Sequence, residues 1–164
     1  MPAVDQLRSA KPPWLHLVVL DREETPASVL AVPSGFAART INGRRTRTKR
    51  GLLSEFARAL DFPANSGHNW DAFEELLADL EWLPAEGYLL MVTDADELLA
   101  DDPEDYPTFV AVTTQVAEEW ATPQHGAAAR RAVPFHICLV VAPERARARE
   151  DWGVPRLLID QTRG

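Results

Sequence analysis

An α/β fold built on a small three-stranded parallel sheet is what the chain predicts, and three observations carry that expectation. Three apolar, strand-like runs stand out in the body: Phe36 to Ile41, Tyr88 to Val92 and Phe135 to Val141. The last two barely alternate, as strands do when helices cover both faces of a sheet. More than forty residues separate each run from the next, and helical patterns fill those gaps. Hairpins need far fewer residues, so the connections read as crossovers between parallel strands flanked by helices.

Taken in order, Trp14 to Leu20 and Val29 to Val32 are strand-like, divided by a polar stretch with Pro26, and are expected to add a ribbon to the sheet. Leu52 to Leu60 sets Leu52, Leu53, Phe56, Ala59 and Leu60 on one stripe and stops before Phe62-Pro63. The pattern from Trp70 to Trp82 repeats Trp70, Phe73, Leu76, Leu77 and Leu80 at three and four residues, with Asn69 as its cap and Pro84 ending it. A short helix is expected at Asp96 to Ala100, and a longer one over Tyr106 to Trp120, with Pro107 in its first turn and Pro123 beyond its end. Gln124 to Arg131 reads as a loop, Glu144 to Gly153 as a charged stretch, and Arg156 to Asp160 as a final strand or docked tail. The division that follows is an N-terminal extension over 1–35, a body over 36–141 and a C-terminal tail over 142–164.

At 164 residues, 46 % of them apolar, the chain suits one globular domain with a real core. A formal charge of −8 and a pI near 5.0 disfavour nucleic acid and anionic membrane and suit a basic protein partner. The longest apolar runs, such as Leu17 to Leu20 and Leu139 to Ala142, are too short to span a bilayer, and the N-terminus reads as neither export signal nor anchor. Cys138 is the single cysteine and has no internal partner, compatible with a reducing compartment. A cytoplasmic location is expected.

The charge is not spread evenly. Between Ser54 and Glu119 lie seventeen acidic side chains and one basic one, Arg58, while both flanks are net positive. Clustered carboxylates repel one another, so a sequence that keeps them points to steering and recognition. Within the patch, Phe62-Pro63-Ala64-Asn65-Ser66-Gly67-His68-Asn69 forms a polar loop running into the helix that starts at Trp70. On that helix Asp71 and Glu75 are four apart and share an edge, with Glu74 beside them. The same residues also suit a solvated helix face on which Asp71 steadies the first turn through the helix dipole.

The arrangement Gly67-x-Asn69-Trp70-Asp71-Ala72-Phe73, followed by an acid at Glu75, Leu76 and then Trp82-Leu83-Pro84, resembles the barstar family of ribonuclease inhibitors. The resemblance covers roughly Phe36 to Val141. It implies a small parallel sheet with helices and an intracellular, non-enzymatic protein that blocks a guanyl-specific, basic, secreted-type ribonuclease in a one-to-one complex. In that family the loop and second helix plug the nuclease active site with carboxylates, which carries a partner-binding role onto Asn65, Gly67, His68, Asn69, Trp70, Asp71, Glu74 and Glu75. A later acid, Glu118, is carried over on a looser alignment. The type member has aspartate where this chain has Glu75, an aromatic where it has Asn65, and an acid where it has His68. An interaction module or antitoxin-like protein for a different basic protein is the alternative.

Other constellations read as structure. An EF-hand starting at Asp94 would need an oxygen ligand at Leu98, glycine at Leu99 and glutamate at Asp105, and it fails at all three, so no metal is expected. The basic run Arg44 to Arg50 lacks aromatic interleaving and reads as a solvated loop with no role toward nucleic acid. No nucleophile, phosphate-cradling loop or metal set accompanies His68 and Asp71, so neither catalysis nor a cofactor is expected. Carboxylates on a convex helix edge also lack the cleft that glycoside chemistry requires. His16, His136 and Cys138 lie in apolar runs and read as packed side chains.

Overall fold

The computed structural model describes residues 2–21, 23–26, 30–64, 66, 68–124 and 130–159. Four strands, β1 (Leu15–Val19), β2 (Phe36–Asn42), β3 (Gly87–Thr93) and β4 (Phe135–Val141), form a wholly parallel sheet in the order β1-β4-β3-β2. The expected three strands are therefore four. The run at Trp14 to Leu20 supplies β1, whose residues Leu15 to Val19 pair with Ile137 to Val141. Val29 of the second N-terminal run lies outside the described residues, and residues 30–32 form no strand, Leu30 turning its amide back to the Pro26 carbonyl at 2.8 Å.

Five α-helices accompany the sheet among the described residues: α1 (Ala3–Arg8), α2 (Lys49–Ala59), α3 (Trp70–Asp79), α4 (Tyr106–Ala121) and α5 (Pro143–Arg147). The crossovers β2-α2-α3-β3 and β3-α4-β4 place α2, α3 and α4 on one face, where Phe56, Phe73, Leu77, Phe109 and Trp120 pack against Leu90, Ile137 and Leu139. Helix α2 starts before its apolar stripe because two caps hold its first turn. The Thr48 hydroxyl accepts the Gly51 amide at 3.0 Å, and Asp102 accepts the Lys49 amide at 2.8 Å. Helix α3 ends at Asp79 and not near Trp82, because buried Leu80 turns left-handed at φ 43°. Trp82 is thereby freed to donate its indole N–H to the Leu60 carbonyl at 2.8 Å. The short helix expected at Asp96 to Ala100 is a 3₁₀ turn over Ala95–Glu97.

The second sheet face is covered by both ends of the chain. Leu7 of α1, Leu30 and Leu157 bury themselves against Val18, Leu89, Met91, Cys138 and Val140. Beside β1 the tail docks through one bridge: the Leu17 amide donates to the Pro155 carbonyl at 2.8 Å and the Leu157 amide to the Leu17 carbonyl at 2.9 Å. Asp160, the expected end of that segment, lies outside the described residues. Beneath α1 the chain buries two imidazoles, His16 at 1 % and His136 at 0 % exposure. His136 Nε2 is 2.7 Å from the Ser9 carbonyl, which can only accept, so that nitrogen carries the proton. Neutral His136 then offers Nδ1 as an acceptor, and His16 Nε2–H donates to it at 2.9 Å.

At the other edge, the last amide of β2, that of Asn42, donates to buried Glu55 at 2.7 Å. The Arg58 guanidinium grips the same carboxylate through two bonds of 2.7 Å and holds it below the usual glutamate range. The next residue leaves no room for a side chain, since a Cβ on Gly43 would lie 2.1 Å from the Thr93 carbonyl oxygen. Gly43→Ala is therefore expected to force the β2 and β3 exits apart and cost about 1–3 kcal/mol, read from urea melts. Among the described residues, no helix is long and apolar enough to cross a membrane.

Candidate functional site

Helix α3 begins where the Asn69 side chain accepts the Ala72 amide at 2.8 Å, as the sequence predicts. Its inward residues Phe73 and Leu77 are buried, and the helical period then leaves Asp71, Glu74, Glu75 and Asp79 on the side away from the sheet. Trp70 is half-buried and sits edge-on to Phe73, with ring centres 5.6 Å apart and the Lys49 ammonium 5.7 Å from its ring. It packs the rim of the core at the point where the loop becomes helix.

The neighbouring helix completes the site. Near the end of α4 the Trp120 indole donates to the Leu77 carbonyl at 2.9 Å inside the core, bolting α4 to α3. That contact brings Glu119 to the α3 acids. Asp71, Glu74, Glu75, Asp79 and Glu119, with Ala78 as the remaining lining residue, line an open, shallow groove of about 530 Å³.

Several acids of the Asp94 to Asp101 segment are partnered. Arg44 pairs with Asp94 at 3.3 Å, Arg47 with Glu97 and with Asp101 at 2.9 Å, and Arg145 with Asp96 at 3.4 Å. Backbone bonds from Leu99 to Thr46 and from Asp101 to Arg47, at 2.7 and 2.8 Å, zip the same two segments together. The basic run thus cancels the acidic loop that faces it. Asp102, Glu104 and Asp105 bring carboxylate oxygens within 4.8 Å of one another, but Asp102 already serves as a cap for α2. By contrast, none of the five groove carboxylates is in an ion pair among the described residues.

Of the residues singled out from the sequence, Asp71, Glu74 and Glu75 share the groove, and His68 and Asn69 are exposed at its helix entrance. Asn65 and Gly67 lie outside the described residues. Glu118 is exposed and does not line the groove; Glu119 does. The stripe Thr113, Val116, Ala117 and Trp120 carries the signal for this. At about 100° per residue it puts Glu118 on the far side of α4 and Glu119 on one flank, and the Trp120 bond to Leu77 turns that flank toward α3. Asp79, two turns beyond Asp71, follows from the spacing already used for Glu75.

A family model described as Barstar (barnase inhibitor) matches residues 36–140, well over half of the chain. This chain belongs to the Barstar family. A search of curated proteins finds no match. The Barstar match runs from β2 almost to the end of β4 and contains every residue of the acidic groove. It leaves out α1, β1 and the docked tail, so the strand beside β4 and most of the cover on the second face lie beyond the Barstar match.

Proposed function

We propose that this chain inhibits a guanyl-specific microbial ribonuclease in a one-to-one complex, without turnover, by carrying its acidic groove into the enzyme's cationic cleft. The observation that supports this most is the groove itself: five carboxylates from two helices, with no internal cation against them among the described residues. A phosphodiester-cleaving enzyme holds its substrate with cations, and rigid carboxylates enter such a cleft as phosphate mimics, gaining charge-assisted hydrogen bonds, often bidentate with arginine. Exposed pairs contribute about 0.2–1 kcal/mol each, whereas close interfacial pairs couple by about 1.5–7 kcal/mol, a range that belongs to the family's type complex. Desolvation on docking therefore decides affinity.

The site residues proposed are Asp71, Glu74, Glu75, Asp79 and Glu119, with His68, Asn69 and Trp70 at the rim and Asn65 and Gly67 in the adjoining loop. Titration calorimetry and an RNA-cleavage assay against several guanyl-specific microbial ribonucleases test this. One-to-one binding with loss of cleavage is the expected result; no binding at micromolar concentration to any of them overturns it. The substitutions at Glu75, Asn65 and His68 favour a second reading, a different basic protein as target, which a panel of other nucleases would separate. A cytoplasmic location accords with an inhibitor that protects its own cell.

Like charges without an ion pair among the described residues also set the kinetics. Raising salt is expected to slow association far more than it speeds dissociation, because screening shortens the reach of the field while leaving close contacts largely intact. Stopped-flow rates across a salt series measure this, and an association rate indifferent to salt would assign the charge excess to solubility alone.

A further inference from the structure

All four strands run parallel, yet the segments leaving them do not share a face. The helices that follow β2 and β3 pack on the first face, whereas the segment after β1 passes to the second, where Leu30 is buried. After β4 the chain returns to the first face to bury Trp152. Adjacent strands β1 and β4 thus send their continuations to opposite faces, and open parallel sheets take ligands in the crevice outside the strand carboxyl ends at such a point.

A cavity of about 400 Å³ lies there, within the range of roughly 300–1,000 Å³ usual for small-molecule sites. Asp21 and Glu24 line it from the segment after β1, Arg145 from the segment after β4, and Asp94, Asp96 and Arg44 from the exits of β3 and β2. It shares no lining residue with the acidic groove, and Asp21, Glu24 and Arg145 lie outside the matched span of 36–140.

The walls carry both signs. Arg44 Nε stands 3.3 Å from Asp94 and Arg145 Nη1 stands 3.4 Å from Asp96. Each guanidinium has five N–H donors, more than one aspartate uses, so both retain capacity for a second carboxylate. Asp21 and Glu24 bring negative charge from the segment after β1. An apolar ligand would strand these charges, and a simple anion would meet a lining richer in carboxylates than in guanidiniums. We propose that this crevice binds a small zwitterion of amino-acid size, its ammonium group facing Asp21 and Glu24 and its carboxylate taken by Arg145 and Arg44.

The test is titration calorimetry of the full chain with glycine, L-serine, L-glutamate and L-lysine, with putrescine and acetate as single-sign controls. The expected result is saturable one-to-one binding of at least one amino acid with a dissociation constant below about 1 mM. That binding should weaken by about tenfold or more in Arg145→Gln and separately in Asp21→Asn, and stay unchanged in Glu75→Gln. Circular dichroism verifies each fold, and the two variants stand on different segments, so loss of one fold leaves the other informative. Absence of saturable binding by every amino acid, equal binding of putrescine or acetate, or wild-type affinity in the folded variants overturns the proposal.

Discussion

Replacing Glu75 by glutamine is expected to weaken ribonuclease binding by about 2 kcal/mol or more, roughly thirtyfold, while leaving the fold as stable as before or slightly more so. Glu75 is exposed and shares its groove with Asp71, Glu74, Asp79 and Glu119, so among the described residues its charge meets only like charges there. Glutamine keeps the shape and removes one repulsion. In the complex the same change removes one member of a desolvated pair and strands the cation facing it. The neighbouring glutamates supply a control: Glu119→Gln should follow Glu75→Gln, whereas Glu118→Gln should cost little, because only Glu119 lines the groove. Urea melts and binding titrations give both numbers for each variant. Lost stability with unchanged affinity in Glu75→Gln would make that residue structural and place the site elsewhere.

The second large effect is expected at the buried imidazoles. His136→Phe leaves the Ser9 carbonyl and the His16 Nε2–H without partners, at about 1–3 kcal/mol for each stranded group. His136→Gln should lose less, because its amide donates and accepts as the neutral ring does. The same pair sets an acid limit. Burial, reinforced by the His136 charge, brings the His16 pKa down to about 3, and burial also lowers that of His136 against the pull of the Ser9 carbonyl. In the unfolded chain both titrate near 6.5. The His16 contribution is thus complete above about pH 6.5, where neither state binds the proton, and is lost as pH falls from 6.5 toward 3, where only the unfolded state does, and His136 contributes with the same sign. The slope is at most about 1.4 kcal/mol per pH unit for each histidine. Urea midpoints at descending pH measure it, and His136→Gln should flatten the fall. An identical slope in that variant would show that the relay does not govern acid stability.

What could be read beforehand follows from how local each signal is. The body strands β2, β3 and β4 announced themselves because a strand buried on both faces needs a continuous apolar run, and the long connections excluded hairpins. The run that became β1 was equally visible, but its place was not: pairing Leu15 with Ile137 joins segments far apart in the chain, and nothing in either encodes the other. The end of α3 escaped because Leu80 carries no glycine or asparagine signal for its left-handed turn; burial of its side chain outweighs the backbone cost. At the site, Asp71, Glu74 and Glu75 follow from spacing on one helix. Glu119 depends on how two helices meet, and Trp120 fixes that through a hydrogen bond to Leu77. Nor did the count of acids distinguish the groove from the Asp94 to Asp101 segment. Only the fold brings Arg44, Arg47 and Arg145 to the latter and leaves the groove without an ion pair among the described residues.

The position of β1 sets a schedule for the chain's assembly. Its ladder partner, β4, ends at Val141, and the tail bridging its other side comes later still, at Pro155 to Leu157. At about 5–20 residues per second, a ribosome takes roughly 6–25 s to travel from the end of β1 to the end of β4. Throughout that interval the apolar stretch Leu15 to Leu20 has no strand to pair with, while β2, α2, α3 and β3 can already assemble with one another. Though made before its partner, β1 is among the last of the four strands to find its place, and its wait exposes the nascent chain to association with its neighbours.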